Sequence, residues 1–279
     1  MPEVLCVSLG SSNHTLREFP KESPMAFDNS PFRVGAQPTG YAGSQVDIDQ
    51  GLRAFMLGVY NNMVIGLGIS GLVALGLNMA AVAQTATGRM ALTPFGQLLY
   101  TSPLKWVIML APLAFIFIFS MRMDRMSAAS ARMTFFAFAA VMGASMSSLL
   151  LVFTGASVVR VFFITAATFG GLSLYGYTTK RSLSGMGSFL MMGLIGLIIA
   201  SLVNIFMASS ALQFAISVIG VLIFAGLTAY DTQKLKEMYL YSGADAEGAA
   251  KMSVNGALTL YLDFINMFQM LLSLLGDRR

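Results

Sequence analysis

The chain has 279 residues, 56% of them hydrophobic and 11% charged, with a formal net charge of +4. A soluble domain carries roughly 25% charge, so this composition excludes an ordinary soluble globule and fits one lipid-embedded helical bundle with a tail. Lys and Arg sit in short loops between apolar runs, not in clusters on a polar face, which speaks against a nucleic-acid partner.

Residues 1–50 form a polar tail, "SSNHTLREFPKESPMAFDNSPFRVGAQPTGYAGSQVDIDQ" for most of its length. Pro, Ser, Gly and Asn are scattered without apolar periodicity, which predicts disorder. The tail lacks the apolar core of a signal peptide, and Glu18, Glu22 and Asp28 speak against a transit peptide. The single cysteine, Cys6, and the single histidine, His14, both lie here. One thiol makes no internal disulfide and no thiolate metal cage, and a bundle without histidine has no His-based triad. Asp47 to Arg53 is expected to start a helix leading into the membrane. Residues 51–279 are then the transmembrane domain.

Seven apolar segments follow, near 54–82, 103–121, 134–153, 158–178, 185–207, 210–229 and 256–275. Each approaches the roughly 20 residues that cross about 30 Å of hydrocarbon. Backbone groups in lipid must be satisfied within the segment, and the runs do not alternate apolar with polar, so these are helices and not barrel strands. Gly, Ala and Ser recur within them, as in "GLGISGLVALG" and "GASMSS", and small residues allow close helix approach. Only Ala208 to Ala211 separate the fifth segment from the sixth.

Two aspartates interrupt this pattern. Asp231 closes the sixth segment, at a polar break within "LIFAGLTAYDTQKLKEMY", and a polar linker is expected after it. Asp263 lies inside the seventh, "NGALTLYLDFINMF". Ionisable groups at membrane depth are costly and mark function by default. With the N-terminus cytoplasmic, the inside segments hold twelve Lys and Arg and the outside segments five, which is the expected bias. The C-terminus is then periplasmic, unless the last segment dips in and returns. Both carboxylates fall in the cytoplasmic half, on consecutive antiparallel helices, and Arg122 in "SMRMDRMS" reaches the same side.

On the seventh segment Asn255, Thr259, Asp263, Asn266, Gln269 or Met270, and Ser273 recur every three or four residues and share a face. The sixth carries a sparser line, Gln213, Ser217, Gly220, Thr228 and Asp231. The two stripes either line a water-filled pathway or hold the helices together by hydrogen bonds. The pathway candidates are Asn255, Thr259, Asn266 and Thr228. Calcium takes six to eight oxygen ligands, so two aspartates with Asn266 and Thr259 suit a passing or loosely held ion. Two close carboxylates also share a proton and titrate as a unit. No tightly bound cofactor is expected.

"FAGLTAYDTQKLKEMY", followed by "LTLYLDFINMF", resembles the Bax inhibitor-1 family, also called the transmembrane Bax inhibitor motif family. The likeness extends to "VYNNMVIGLGISGLVA" in the first segment and covers roughly residues 50 to 275. The resemblance implies an all-α bundle of seven transmembrane helices, six surrounding the C-terminal seventh, and a pH-sensitive calcium leak. It implies that Asp231 and Asp263 form a proton-sharing, pH-sensing pair, latched by an arginine of the second helix, Arg122 or Arg125. The acidic residue that some members carry within the second span has no counterpart in "SPLKWVIMLAPLAFIFIF". The long tail without eukaryotic targeting signals suits a bacterial inner-membrane member. An alternative role, implied by bacterial relatives, is regulation of an ATP-dependent membrane protease. An intramembrane aspartyl protease would also use two aspartates on adjacent helices, but the sequence around Asp263 lacks the glycines of that motif, so no enzyme is expected.

Overall fold

A computed structural model describes residues 40–84, 90–122, 125–243 and 245–279; Cys6, His14 and most of the expected disordered tail lie outside them. The chain divides into Met1–Tyr41 and Ala42–Arg279, and the second unit holds the bundle. In order, the elements are α1 (Gly40–Ala81), β1 (Val82–Gln84), β2 (Met90–Leu92), α2 (Pro94–Tyr100), α3 (Leu104–Arg122), α4 (Ala128–Met146), α5 (Leu149–Val152), α6 (Gly155–Thr178), α7 (Ser184–Met207), α8 (Ser210–Ser242) and α9 (Ala246–Leu275).

Six helices are long and apolar enough to cross a membrane, and α2 with α3, bent by 57° at their junction, makes a seventh if the pair is one span. The outward faces are apolar, as lipid requires: Phe206 is 88% exposed and Met79 78%. The chain is thus an all-α multi-pass membrane protein.

The first helix begins at Gly40, before the Asp47–Arg53 start expected from sequence. The second apolar segment is broken where Thr101 closes α2 and Pro103 precedes α3, since the residue before a proline disfavours helix. Ala208 adopts a left-handed conformation (φ 48°) and ends α7, and the Ser209 hydroxyl caps α8 by accepting from the Leu212 N–H at 3.3 Å. The narrow Ala208–Ala211 gap is therefore a real helix boundary. The polar break expected at Asp231 is not one. Residues through Ser242 continue α8, and the connection to α9 shrinks to three residues. Lys, Glu, Gln and Leu are good helix formers whatever their hydropathy.

The last helix, α9, packs against α8, α6 and α4. Half of its most apolar stretch is buried, against 11% in α7, so it is the central helix. Tyr261, fully buried on it, stands edge-on to Phe135 and Phe138 of α4, and its hydroxyl meets Ser70 of α1 at 2.6 Å. Apolar transfer does not drive helices together in lipid; close packing and hydrogen bonds do. Accordingly, a side chain on Gly143 of α4 would collide with the Ser70 carbonyl, and one on Gly176 of α6 with the Ala229 carbonyl of α8.

The loops at the ends are tied down by side chains of the long helices. Gln233 of α8 accepts from the Leu183 N–H (2.7 Å) and donates to the Arg181 carbonyl (2.8 Å), holding the α6–α7 connection. Lys236 donates to the Tyr177 carbonyl at the C-terminus of α6, where a cation also suits the helix dipole. Glu247 of α9 accepts from the Ala128 N–H and so caps α4. At the opposite end, the Thr154 N–H donates to the Asp277 carbonyl, and the Asp277 N–H to Ser157, so the residues after α9 are pinned to the start of α6.

Candidate aspartate pair on the last two helices

The antiparallel register of α8 and α9 follows from three contacts. A Cβ on Gly256 would meet Leu235, one on Gly220 would meet Met270, and Ser217 donates to Ser273 at 3.2 Å. On this register Asp231 lies opposite residue 259, one turn away from Asp263. Helical side chains lean toward their own N-terminus. In an antiparallel pair those leanings converge, so each carboxyl reaches toward the other across the seam. Across the seam the two carboxyls come close enough to act on each other.

The two aspartates differ in surroundings. Asp263 is 5% exposed and its Oδ2 is buried without a hydrogen-bond partner. Asp231 is half-buried and lies in the field of Lys234, one turn further along α8. Lys234 in turn sits 5.9 Å from the centre of the Tyr230 ring. Asp263 stands twelve residues before the end of α9, about 18 Å along its axis, which is membrane depth.

Around the pair, Thr228 is fully buried and donates to the Phe224 carbonyl at 2.8 Å. Thr259 and Asn266 are half-buried and also donate to their own helix, to the carbonyls of Asn255 and Leu262. Their side-chain oxygens keep acceptor lone pairs. Asn255 is exposed and Asp263 buried, so the expected stripe goes from exposed to buried over its first two turns and is half-buried beyond. Its far end is spent on helix contacts: Ser217 on Ser273, and Gln213 on Asn204 (3.0 Å).

Arg122 ends α3 and Arg125 lies in the turn before α4; both are exposed, and no ion pair joins either to Asp231 or Asp263. Among the described residues, Lys234 is a cation close to Asp231. The i, i+3 spacing from Asp231 was visible in the sequence, but only the continuation of α8 past Asp231 gives that spacing meaning. Among the described residues, no group of three or more His, Cys, Asp or Glu is placed to hold a metal ion.

Residues 52–279 match the family described as inhibitor of apoptosis-promoting Bax1. An uncharacterised protein of Caulobacter vibrioides is 46% identical over 246 residues, covering 86% of this chain and 97% of its own length. A Rickettsia prowazekii protein is 47% identical over 231 residues, covering 83% of this chain and 92% of its own. The Escherichia coli inner membrane protein YbhL is 44% identical over 232 residues, covering 82% of this chain and 94% of its own.

Proposed function

The chain belongs to the Bax inhibitor-1 family, and from that premise we propose that it is a pH-sensitive calcium leak channel of a bacterial inner membrane, gated by Asp231 and Asp263. The observation that supports this reading is Asp263 Oδ2, a buried carboxyl oxygen with no partner, beside a second carboxyl on the adjacent helix. Such an oxygen takes a proton or a hard cation. Helix packing alone gives no reason to keep it, because an unsatisfied buried polar atom costs about 1–3 kcal/mol.

Proton and calcium compete for the same oxygens. At low pH the pair is loaded with protons and its charge is cancelled. As pH rises the shared proton leaves and two negative charges stand together, a site that attracts a divalent cation. Calcium occupancy therefore rises with pH. Two carboxyls fall well short of calcium's six to eight oxygens. Asn266 Oδ1, Thr259 Oγ1 and water supply further ligands, which favours passage over storage. The arginine latch, Arg122 or Arg125, would act in a conformation where α3 swings its end toward the pair.

The test is calcium uptake into liposomes holding the purified protein, measured across pH for the wild type, Asp231→Asn and Asp263→Asn. Flux above that of empty liposomes, with a pH profile that flattens in both variants, is expected. Absence of wild-type flux at every pH sinks the leak. Unchanged profiles in both variants sink the gating role of the pair. Arg122→Ala is expected to raise the leak at rest; a rise only in Arg125→Ala moves the latch to that residue.

A further inference from the structure

A long apolar groove of about 1490 Å³ runs between α1 and α6, with Phe264 and Phe268 of α9 among the residues that line it. It extends along α1 from Arg53 to Leu75, 22 residues or about 33 Å, close to the roughly 30 Å of bilayer hydrocarbon. Gly68 and Gly71 of α1 and Gly170 of α6 line it, and a Cβ added at any of them would meet nothing within 4 Å. Small residues in membrane helices ordinarily let a neighbouring backbone approach. Gly143 and Gly176 do so here; the groove glycines do not. They form a smooth wall with no described helix against it.

Polarity along the groove is one-sided. Among the described residues that line it, the one that is charged is Arg53, at the end where Tyr177 also lies. Beyond Tyr177 the chain continues into Lys180 and Arg181, both exposed. The Tyr60 hydroxyl, bonded to Ser173 at 2.6 Å, follows further in; the far end at Leu75 and Leu150 is apolar, and the charge of nearby Arg160 is offset by Asp277 at 3.7 Å. We propose that the half of the groove nearer Arg53, about one leaflet deep, holds the acyl chains of a bilayer phospholipid whose anionic headgroup sits at the Arg53 end. The charge pattern selects this occupant. A spanning helix brings polar residues to both ends, whereas a phospholipid brings one charged head and apolar chains. Basic pockets at the ends of membrane helices bind anionic headgroups. The site lies between α1 and α6 and stands independently of calcium conduction.

The experiment uses the full-length protein in mild detergent, equilibrated with equal amounts of phosphatidylglycerol and phosphatidylcholine of matched chains and read by native mass spectrometry. Phosphatidylglycerol is expected to be retained over phosphatidylcholine by about fivefold, the factor one basic residue near an anionic surface supplies. Arg53→Gln should remove that preference. Gly170→Phe, seven residues or about 10 Å from Tyr177, should remove retained lipid, while Gly185→Phe, at another open glycine on α7 outside the groove, should leave it in place. Gly68→Leu replaces Gly170→Phe if the latter is not monodisperse. Equal retention of the two lipids in the wild type overturns the proposal. So does retention unchanged by filling the groove, or lost equally in Gly185→Phe. A disulfide-linked dimer formed by Gly71→Cys in a Cys6→Ser background would assign the groove to a second copy and overturn it too.

Discussion

Ser217 and Ser273 meet across the α8–α9 seam near one end of the bundle, and Asp231 and Asp263 meet across the same seam deeper in. At the serine end the polar atoms have partners: the one Ser217 hydroxyl proton is shared between Ser273 and the Gln213 carbonyl, and Gln213 accepts from Asn204, whose Oδ1 accepts from the Ser209 N–H. At the aspartate end one carboxyl oxygen has none. Both ends present polar groups on one helical stripe, so the stripe by itself distinguishes nothing. Satisfaction distinguishes them. The serine end holds two helices together, and the aspartate end leaves a buried carboxyl oxygen without a partner.

That difference is sharpest in response to pH. Asp263→Asn removes the group that shares the proton, so the pH profile of calcium uptake should flatten, with flux at the profile's extremes converging from a tenfold or greater spread, since each pH unit through a titration changes the proton-bound fraction by up to about tenfold. Ser217→Ala, at the other end, should leave the wild-type profile intact. A profile shifted equally by both changes would erase the distinction between the two ends.

The second effect is on stability and has opposite signs at the two ends. Asp263→Leu removes the orphaned oxygen and leaves Asp231 half-exposed near Lys234. It should raise resistance to unfolding by SDS by about 1–3 kcal/mol. Gln213→Leu strands the Asn204 amide and should lower it by about 1 kcal/mol. A loss of stability in Asp263→Leu would mean that the aspartate is structural.

Much of this arrangement was legible beforehand. The apolar runs became helices because lipid leaves the backbone no alternative. The Ala208 boundary survived on two residues, because a left-handed alanine and a serine cap are enough to end one helix and start the next. The aspartates were singled out as ionisable groups in apolar segments and paired by the motif resemblance; the register of α8 and α9 sets them one turn apart across the seam. Other features were hidden. Hydropathy marks where lipid ends, not where a helix ends, so "TQKLKEMYLYS" read as a linker although it is the last three turns of α8. Lys234 was missed for the same reason. The β1–β2 hairpin and the bend between α2 and α3 rest on short local contacts, such as Thr93 N–H to the Ala81 carbonyl, which carry no periodic signal. Arg122 was chosen by its side of the membrane, and sidedness does not say which way a side chain turns.

The smallest expected effect tests the serine end directly. If Ser217 and Ser273 only hold α8 to α9, then Ser217→Ala, Ser273→Ala and the double variant should form a cycle with a coupling energy near the roughly 0.6 kcal/mol typical of hydrogen bonds between membrane helices. The bond is 3.2 Å long, and Ser217 has an alternative acceptor in the Gln213 carbonyl at 2.9 Å, so a value above that average would be surprising. The measurement is the SDS unfolding midpoint of the four proteins, with calcium uptake recorded alongside. Coupling in stability with no coupling in uptake confines these serines to packing. Coupling in uptake instead would extend the ion path past the aspartates to the far end of the seam, and the two ends would then be parts of one conduit.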